Sequence, residues 1–148
     1  MSQNLIKIFE TYAEAFELGF ASRDWQVVDD LLADDVTWSL EGLPAPTGGT
    51  QVGRKAVIAK IRKSIDGFDR RFDLRKPEMT SPLTAIPSGI YMLWQVTYTR
   101  HGLPPFVLRG EEWDLFCDGK MTMHYERFHN AGEMQTYLRH HADALLPV

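Results

Sequence analysis

Near the end of the chain, His124 and Glu126 stand two residues apart within 120–128, a stretch whose alternation reads as a β-strand, so both side chains leave the same face. An imidazole beside a carboxylate is a pair that can give and take a proton near neutral pH. Asp118-Gly119 separates this strand from another alternating run over 106–117, and Asp-Gly in that setting signals a two-residue hairpin turn. Such a turn sets Cys117 opposite Lys120, Trp113 opposite His124, Glu111 opposite Glu126 and Arg109 opposite Phe128. Paired residues share a face, so this register groups Arg109, Glu111, Trp113, Leu115, Thr122, His124, Glu126 and Phe128 on one side. Glu112, Asp114, Phe116, Met121, Met123, Tyr125 and Arg127 fall on the other. A slip of one residue would turn one strand over.

Glu126 is the first candidate for chemistry. Among Trp113, Phe128 and Trp38 a carboxylate is desolvated, which raises its pKa and suits a general acid or base. Glu111 directly opposite would sharpen this, because two close carboxyls share one proton. An ion pair of Glu126 with Arg109 or His124, tying the sheet together, is the structural alternative. His124-x-Glu126 also offers two metal ligands, but His101, His129, His140 and His141 are not at ligand spacing, so no metal is expected. Cys117 has no base beside it for a nucleophilic role. Gly48-Gly49 lacks the strand–loop–helix setting of a phosphate loop.

The elements that must position these groups follow from periodicity. Leu5, Ile8, Phe9, Tyr12 and Phe16 stripe a helix over 4–18, with Gly19 as a stop. Asp24 reads as the N-cap of a short helix carrying Trp25, Val28, Leu31 and Leu32. Val36, Trp38 and Leu40 alternate as a strand, residues 42–53 form a loop, and Val57, Ile58, Ile61, Ile65 and Phe68 mark a third helix. A strand over 71–80 and a clearer one over 89–100, with Ile90, Met92, Trp94, Val96 and Tyr98 on one face, precede the hairpin. Asn130 and Glu133 open a last helix. Helices first and strands after give an α+β fold, one curved antiparallel sheet wrapped around the N-terminal helices.

The sequence has 148 residues, enough for a single domain spanning 1–148 with one core. Its net charge of −4, with both signs interspersed, offers no basic face for nucleic acid. No apolar run reaches membrane-spanning length, the N-terminal residues lack the pattern of a signal peptide, and Cys117 has no partner for a disulfide. These features point to the cytoplasm.

Three segments carry a family resemblance: residues 12–42 with the run Leu32-Ala33-Asp34-Asp35-Val36, residues 53–62 opening on Gly53, and residues 113–130 around Asp118-Gly119-Lys120. In order and spacing the chain resembles the SnoaL-like branch of the nuclear-transport-factor-2-like superfamily, relatives of ketosteroid isomerase and limonene epoxide hydrolase. The resemblance implies a cone-shaped α+β barrel and places His124, Glu126 and Phe128 toward a conical pocket lined by Phe16, Trp38, Leu40, Trp94, Glu111, Trp113 and Phe128. It matches Glu126 to the carboxylate of epoxide-hydrolase-like members and Tyr12 to the oxyanion-stabilising tyrosine of the isomerases; a core tyrosine on the helix stripe is the plainer reading. Leu40 stands where the isomerase base would be, with Glu41 beside it. The second oxyanion acid falls nearest Glu112, and Gln95 and Thr97 replace the epoxide hydrolase's Arg and Asp partners. The implied ligand is a small, largely apolar molecule, with no cofactor. It would be turned over by acid–base catalysis of isomerase, cyclase or dehydratase type, with Glu126, His124 and Tyr12 as the catalytic set. The alternative is a non-catalytic binding or dimeric interaction module, homodimers forming through the face that carries Tyr91, Leu93, Thr97 and Tyr125.

Overall fold

The computed structural model describes residues 2–44 and 47–148; residues 45 and 46 of the expected 42–53 loop lie outside them. Helix α1 runs Ser2–Ser22, past the expected stop. Gly19 sits inside it because the Trp25 ring packs there: a Cβ at Gly19 would lie 2.8 Å from Trp25 Cε3. The one-turn helix α2, Gln26–Asp29, is capped by Trp25 and not by the expected Asp24, whose side chain accepts the Gln26 backbone N–H at 3.0 Å from one residue earlier, and it ends before Leu31 and Leu32.

Strand β1 (Leu32–Glu41) follows, then β2 (Gly49–Val52), a short strand that the sequence presents as loop. Helix α3 (Arg54–Gly67) buries Val57, Ile61 and Ile65. Strands β3 (Leu74–Met79), β4 (Thr84–Ile86), β5 (Gly89–Thr99), β6 (Phe106–Cys117) and β7 (Lys120–Phe128) complete the sheet, and α4 (Ala131–His141) closes the described chain. Pro77 in β3 costs no ladder bond on the far side, because β3 is an edge strand.

The sheet order is β2-β1-β7-β6-β5-β3, with β4 pairing β5. The expected α+β cone is present, but the sheet is mixed and unclosed: β1 runs parallel to β7, while the two edge strands do not meet. The helices fill its concave side. Phe9 and Tyr12 of α1, Trp25 and Val28 around α2, and the α3 stripe pack against Val36, Trp38, Met92, Trp94, Val96, Tyr98 and Leu108 of the sheet. No helix among the described residues is long and apolar enough to cross a membrane.

Candidate functional site

The β6–β7 hairpin begins as the turn chemistry dictates, with Cys117 opposite Lys120 and Phe116 opposite Met121. Between Leu115 and Phe116 the register then shifts, because β7 carries one extra residue at Thr122, whose hydroxyl donates to the Leu115 carbonyl at 3.2 Å. This bulge changes the phase of β7 so that Met121 and His124, three apart, both point inward. Beyond it Asp114 pairs with His124, Glu112 with Glu126 and Gly110 with Phe128. The expected pairs Trp113–His124, Glu111–Glu126 and Arg109–Phe128 are therefore each displaced by one residue.

Two expected pocket residues move as a consequence. Glu111 lies on the outer face, where the Tyr91 hydroxyl donates to it at 2.9 Å and Arg127 pairs with it at 3.0 Å. Burial pushes its carboxyl up, but Tyr91, His129 and Arg127 outweigh this and hold it below the usual value. Trp113 is also outside, packed 5.0 Å from the Tyr91 ring and 5.3 Å from that of Tyr125, with the Arg127 guanidinium over it. In their place Glu112 and Asp114 face inward, in phase with the buried Phe106, Leu108 and Phe116 of the same strand. That phase was the available signal: carboxylates in step with an apolar strand face are carboxylates in the interior.

His124 is the centre of the resulting cluster. Its Nδ1 is 2.8 Å from Asp114 Oδ1 and 3.5 Å from Glu112 Oε1, and its Nε2 is 3.3 Å from Glu126 Oε2. The parallel β1–β7 pairing sets Trp38 beside His124 and Leu40 beside Glu126. The Trp38 ring thus stacks on the imidazole with centroids 3.7 Å apart. Burial alone would push this imidazole down; the charges of Asp114 and Glu112, with hydrogen bonds to Asp114 and Glu126, outweigh it and hold His124 well above its ordinary value. Both ring nitrogens lie within reach of a carboxylate, the arrangement that favours the protonated ring.

Glu112 has the opposite protonation logic. Burial first, then the charge of Asp114, raises its carboxyl well above the usual range despite His124. Asp114 Oδ2 is fully buried and has no donor while both acids are ionised. Glu112, two residues away on the same strand, hydrogen-bonds Asp114 when it carries its proton. Tyr12 lines the same chamber, and burial followed by the charges of Asp114, Glu112 and Glu126 keeps its phenol neutral. Glu112, Asp114 and His124 bring one ligand atom each within 4.8 Å of one another, the grouping among the described residues that would chelate a cation.

Glu126, whose side chain is 18% exposed, carries the cluster into open space. Two cavities meet at it. One, of about 580 Å³, lies between α1 and the sheet and reaches Tyr12, Trp94, Glu112 and His124. The other, of about 480 Å³, lies over α3 and α4 and is lined by Leu40, Phe68, Tyr98, Leu108 and Phe128. Phe16, Trp38, Arg75, Val96 and Glu126 belong to both. Arg75, on β3, is held rigidly by Glu17 and Asp69, each at 2.9 Å, and the Tyr98 hydroxyl donates to Asp69 at 2.9 Å. The structure thus brings Tyr12, Phe16, Trp38, Leu40, Trp94, His124, Glu126 and Phe128 around two adjoining cavities and leaves Glu111 and Trp113 outside. Asp114, Asp69 and Arg75 are polar residues of this interior that the sequence did not single out, and Glu112, set nearest the second oxyanion acid by the resemblance but off the pocket face by the expected register, is inside.

Comparison with solved structures gives this chain the fold of nuclear-transport-factor-2-like proteins, a curved sheet packed on N-terminal helices. A proposed isomerase from Rhodopseudomonas palustris superposes with a TM-score of 0.72 at 15% identity, over 89% of this chain and 96% of that one. A proposed polyketide cyclase from Xanthomonas campestris gives 0.64 at 23% identity, over 93% and 98%. TerC, crystallised with polyporic acid, gives 0.65 at 14% identity, over 89% and 98%. No family model matches the sequence, and no curated protein does.

Proposed function

We propose that this protein binds a small, largely apolar molecule in the joined cavities and acts on it by acid–base catalysis of isomerase, cyclase or dehydratase type. The observation that carries this reading is His124, clamped between Asp114 and Glu126 at the point where Glu126 enters the cavity. In this reading Glu126 takes a proton from a carbon beside a carbonyl, while the neutral Tyr12 hydroxyl donates to the oxygen on which charge develops. His124 holds Glu126 in place through its Nε2, and Glu126 returns the proton it took to the product as it forms, so the site is restored. Asp114 holds the ring in place. The apolar walls, with Trp38 and Phe128, take the rest of the ligand. TerC's polyporic acid and the isomerase and cyclase proposals made for its structural neighbours agree in kind with such a ligand.

Screening isomerase, cyclase and dehydratase substrates against the protein and its Glu126→Gln variant tests the reading. Turnover lost in the variant, with binding and folding retained, is the expected result. Ligand binding without turnover in the unaltered protein would make it a non-catalytic binding module, and loss of folding in the variant would make Glu126 structural. The second part of the proposal is a homodimer through the outer sheet face, where Tyr91, Trp113, Tyr125 and Arg127 form an aromatic, half-buried patch. The cytoplasm is the proposed location.

A further inference from the structure

The two adjoining cavities share two charged residues, Glu126 and Arg75. Glu126 has its part in the proposed chemistry, and Arg75 has none. The pairing of β3 with β5 sets Arg75 beside the buried Tyr98, on the face of the sheet turned to the interior. Its side chain is 10% exposed. A guanidinium carries five N–H donors in one plane. Nε donates to Asp69 Oδ2 at 2.9 Å, and Nη1 donates to Glu17 Oε1 and Oε2, each at 2.9 Å. The Phe20 and Phe16 ring centroids lie 5.0 and 5.9 Å from Cζ. Nη2, with two N–H bonds, has no acceptor among the described residues. The sealed polar atoms without a partner among those residues are Trp94 Nε1 and Asp114 Oδ2, so Nη2 keeps open space beside it.

We infer that Arg75 is a second polar anchor of the ligand site: its Nη2 donates to an uncharged oxygen, a ketone or ester carbonyl, at the end of an apolar molecule away from the carbon that meets Glu126. This rests on the reading of the cavities as the ligand site and adds the ligand's class, an apolar molecule with a second, neutral oxygen function. Ion pairing accounts for Nε and Nη1 and leaves Nη2 unused. Aromatic rings pack against the guanidinium, so a ligand reaches it by its remaining edge, where a carbonyl oxygen accepts in the plane of the N–H bonds. Charge decides between a neutral and an anionic acceptor. Asp69 and Glu17 already set two carboxylates against this one cation, and Glu126 lines the same junction. A ligand carboxylate there would face three like charges, whereas a carbonyl gains a charge-assisted bond without that repulsion. The Tyr98 hydroxyl is committed to Asp69 and does not compete as a donor.

The test uses 2-acetylnaphthalene, 2,6-diacetylnaphthalene and 6-acetyl-2-naphthoate, titrated calorimetrically into the folded full chain. The three share a ring system and one acetyl group, and differ in having no second group, a neutral acceptor or an anion. The expected result is one site per chain, with the diketone bound about tenfold more tightly than the monoketone, the scale of a hydrogen bond from a charged donor. The naphthoate should bind more weakly than the diketone. Arg75→Lys keeps a positive charge beside Asp69 and Glu17 but has no second N–H edge to spare, so it should cancel the diketone's advantage. Should that variant fail to fold, the infrared carbonyl bands of the diketone bound to the unaltered chain and to Tyr12→Phe decide. Both carbonyls should absorb at lower frequency than in an alkane, and in Tyr12→Phe one of them should stay there. Equal affinity for the two ketones, an advantage that survives Arg75→Lys, tightest binding by the naphthoate, or the return of both bands in Tyr12→Phe overturns the Arg75 anchor while leaving the cavity reading intact. Binding of none of the three overturns both.

Discussion

Nδ1 of His124 lies 2.8 Å from Oδ1 of the fully buried Asp114, and these two residues face each other only because β7 bulges at Thr122. The bond fixes both the charge and the orientation of the imidazole, so the properties of the site should respond first to Asp114.

Asp114→Asn removes the charge that, after burial has pushed His124 down, does most to raise it. The His124 titration, followed by imidazole NMR, should move to lower pH, and any turnover should fall by orders of magnitude. Stability should drop by about 3–5 kcal/mol, the cost of leaving one member of a buried pair without its partner. An unmoved His124 titration would mean that Asp114 does not hold the ring.

Stability should decline as pH rises. His124 is raised in the folded state, so its contribution is complete below its unfolded value of about 6.5 and is lost as pH climbs through the raised one. Glu112 is raised too; the folded chain keeps a proton that the unfolded chain has already released above about 4.3. Both therefore act in the same direction. Urea midpoints should fall from pH 6 to pH 9, and a rising midpoint over that range would contradict the protonation states assigned here.

Glu112→Gln keeps a donor for Asp114 and discards the titration. At neutral pH it should cost little, about 1 kcal/mol or less, as expected when one neutral hydrogen-bonding group replaces another. The decline of stability with pH should become shallower, as read from the same midpoints. A large loss at neutral pH would show that Glu112 is ionised and needed as a charge.

Gly110→Ala tests the packing behind the site. A Cβ there would stand 2.4 Å from Trp94 Cζ2 and 2.6 Å from the Arg127 carbonyl. Thermal unfolding should show a loss of about 1–3 kcal/mol, the usual cost of overpacking. An unchanged midpoint would mean that the Trp94 ring can move aside.

Trp113→Lys separates the two faces of the hairpin. Light scattering should show a dimer for the unaltered chain and a monomer for the variant, with probe binding in the cavities unchanged. A monomer in both would remove the dimer proposal, and loss of cavity binding would return Trp113 to the pocket side.

The α1 stripe of Phe9, Tyr12 and Phe16, the alternation of Val36, Trp38 and Leu40, and the Asp118-Gly119 turn are local signals, and each produced the element it predicted. Helix period, strand period and turn chemistry are fixed by neighbours a few residues apart, so they are legible in the sequence; the cone was implied by the resemblance carried on residues 12–42, 53–62 and 113–130, and its expected antiparallel sheet proved mixed. The bulge at Thr122 is different. It satisfies a compromise between a turn that pairs Cys117 with Lys120 and an interior that needs both Met121 and His124, and neither strand records that conflict alone. One extra residue exchanged Glu111 and Trp113 for Glu112 and Asp114. The parallel pairing of β1 with β7, which lays Trp38 on His124, joins segments more than eighty residues apart. Residue types and local periods thus determined the elements and the chemistry on offer. Long-range strand pairing decided which carboxylates share the buried interior, because desolvation and charge coupling act through space.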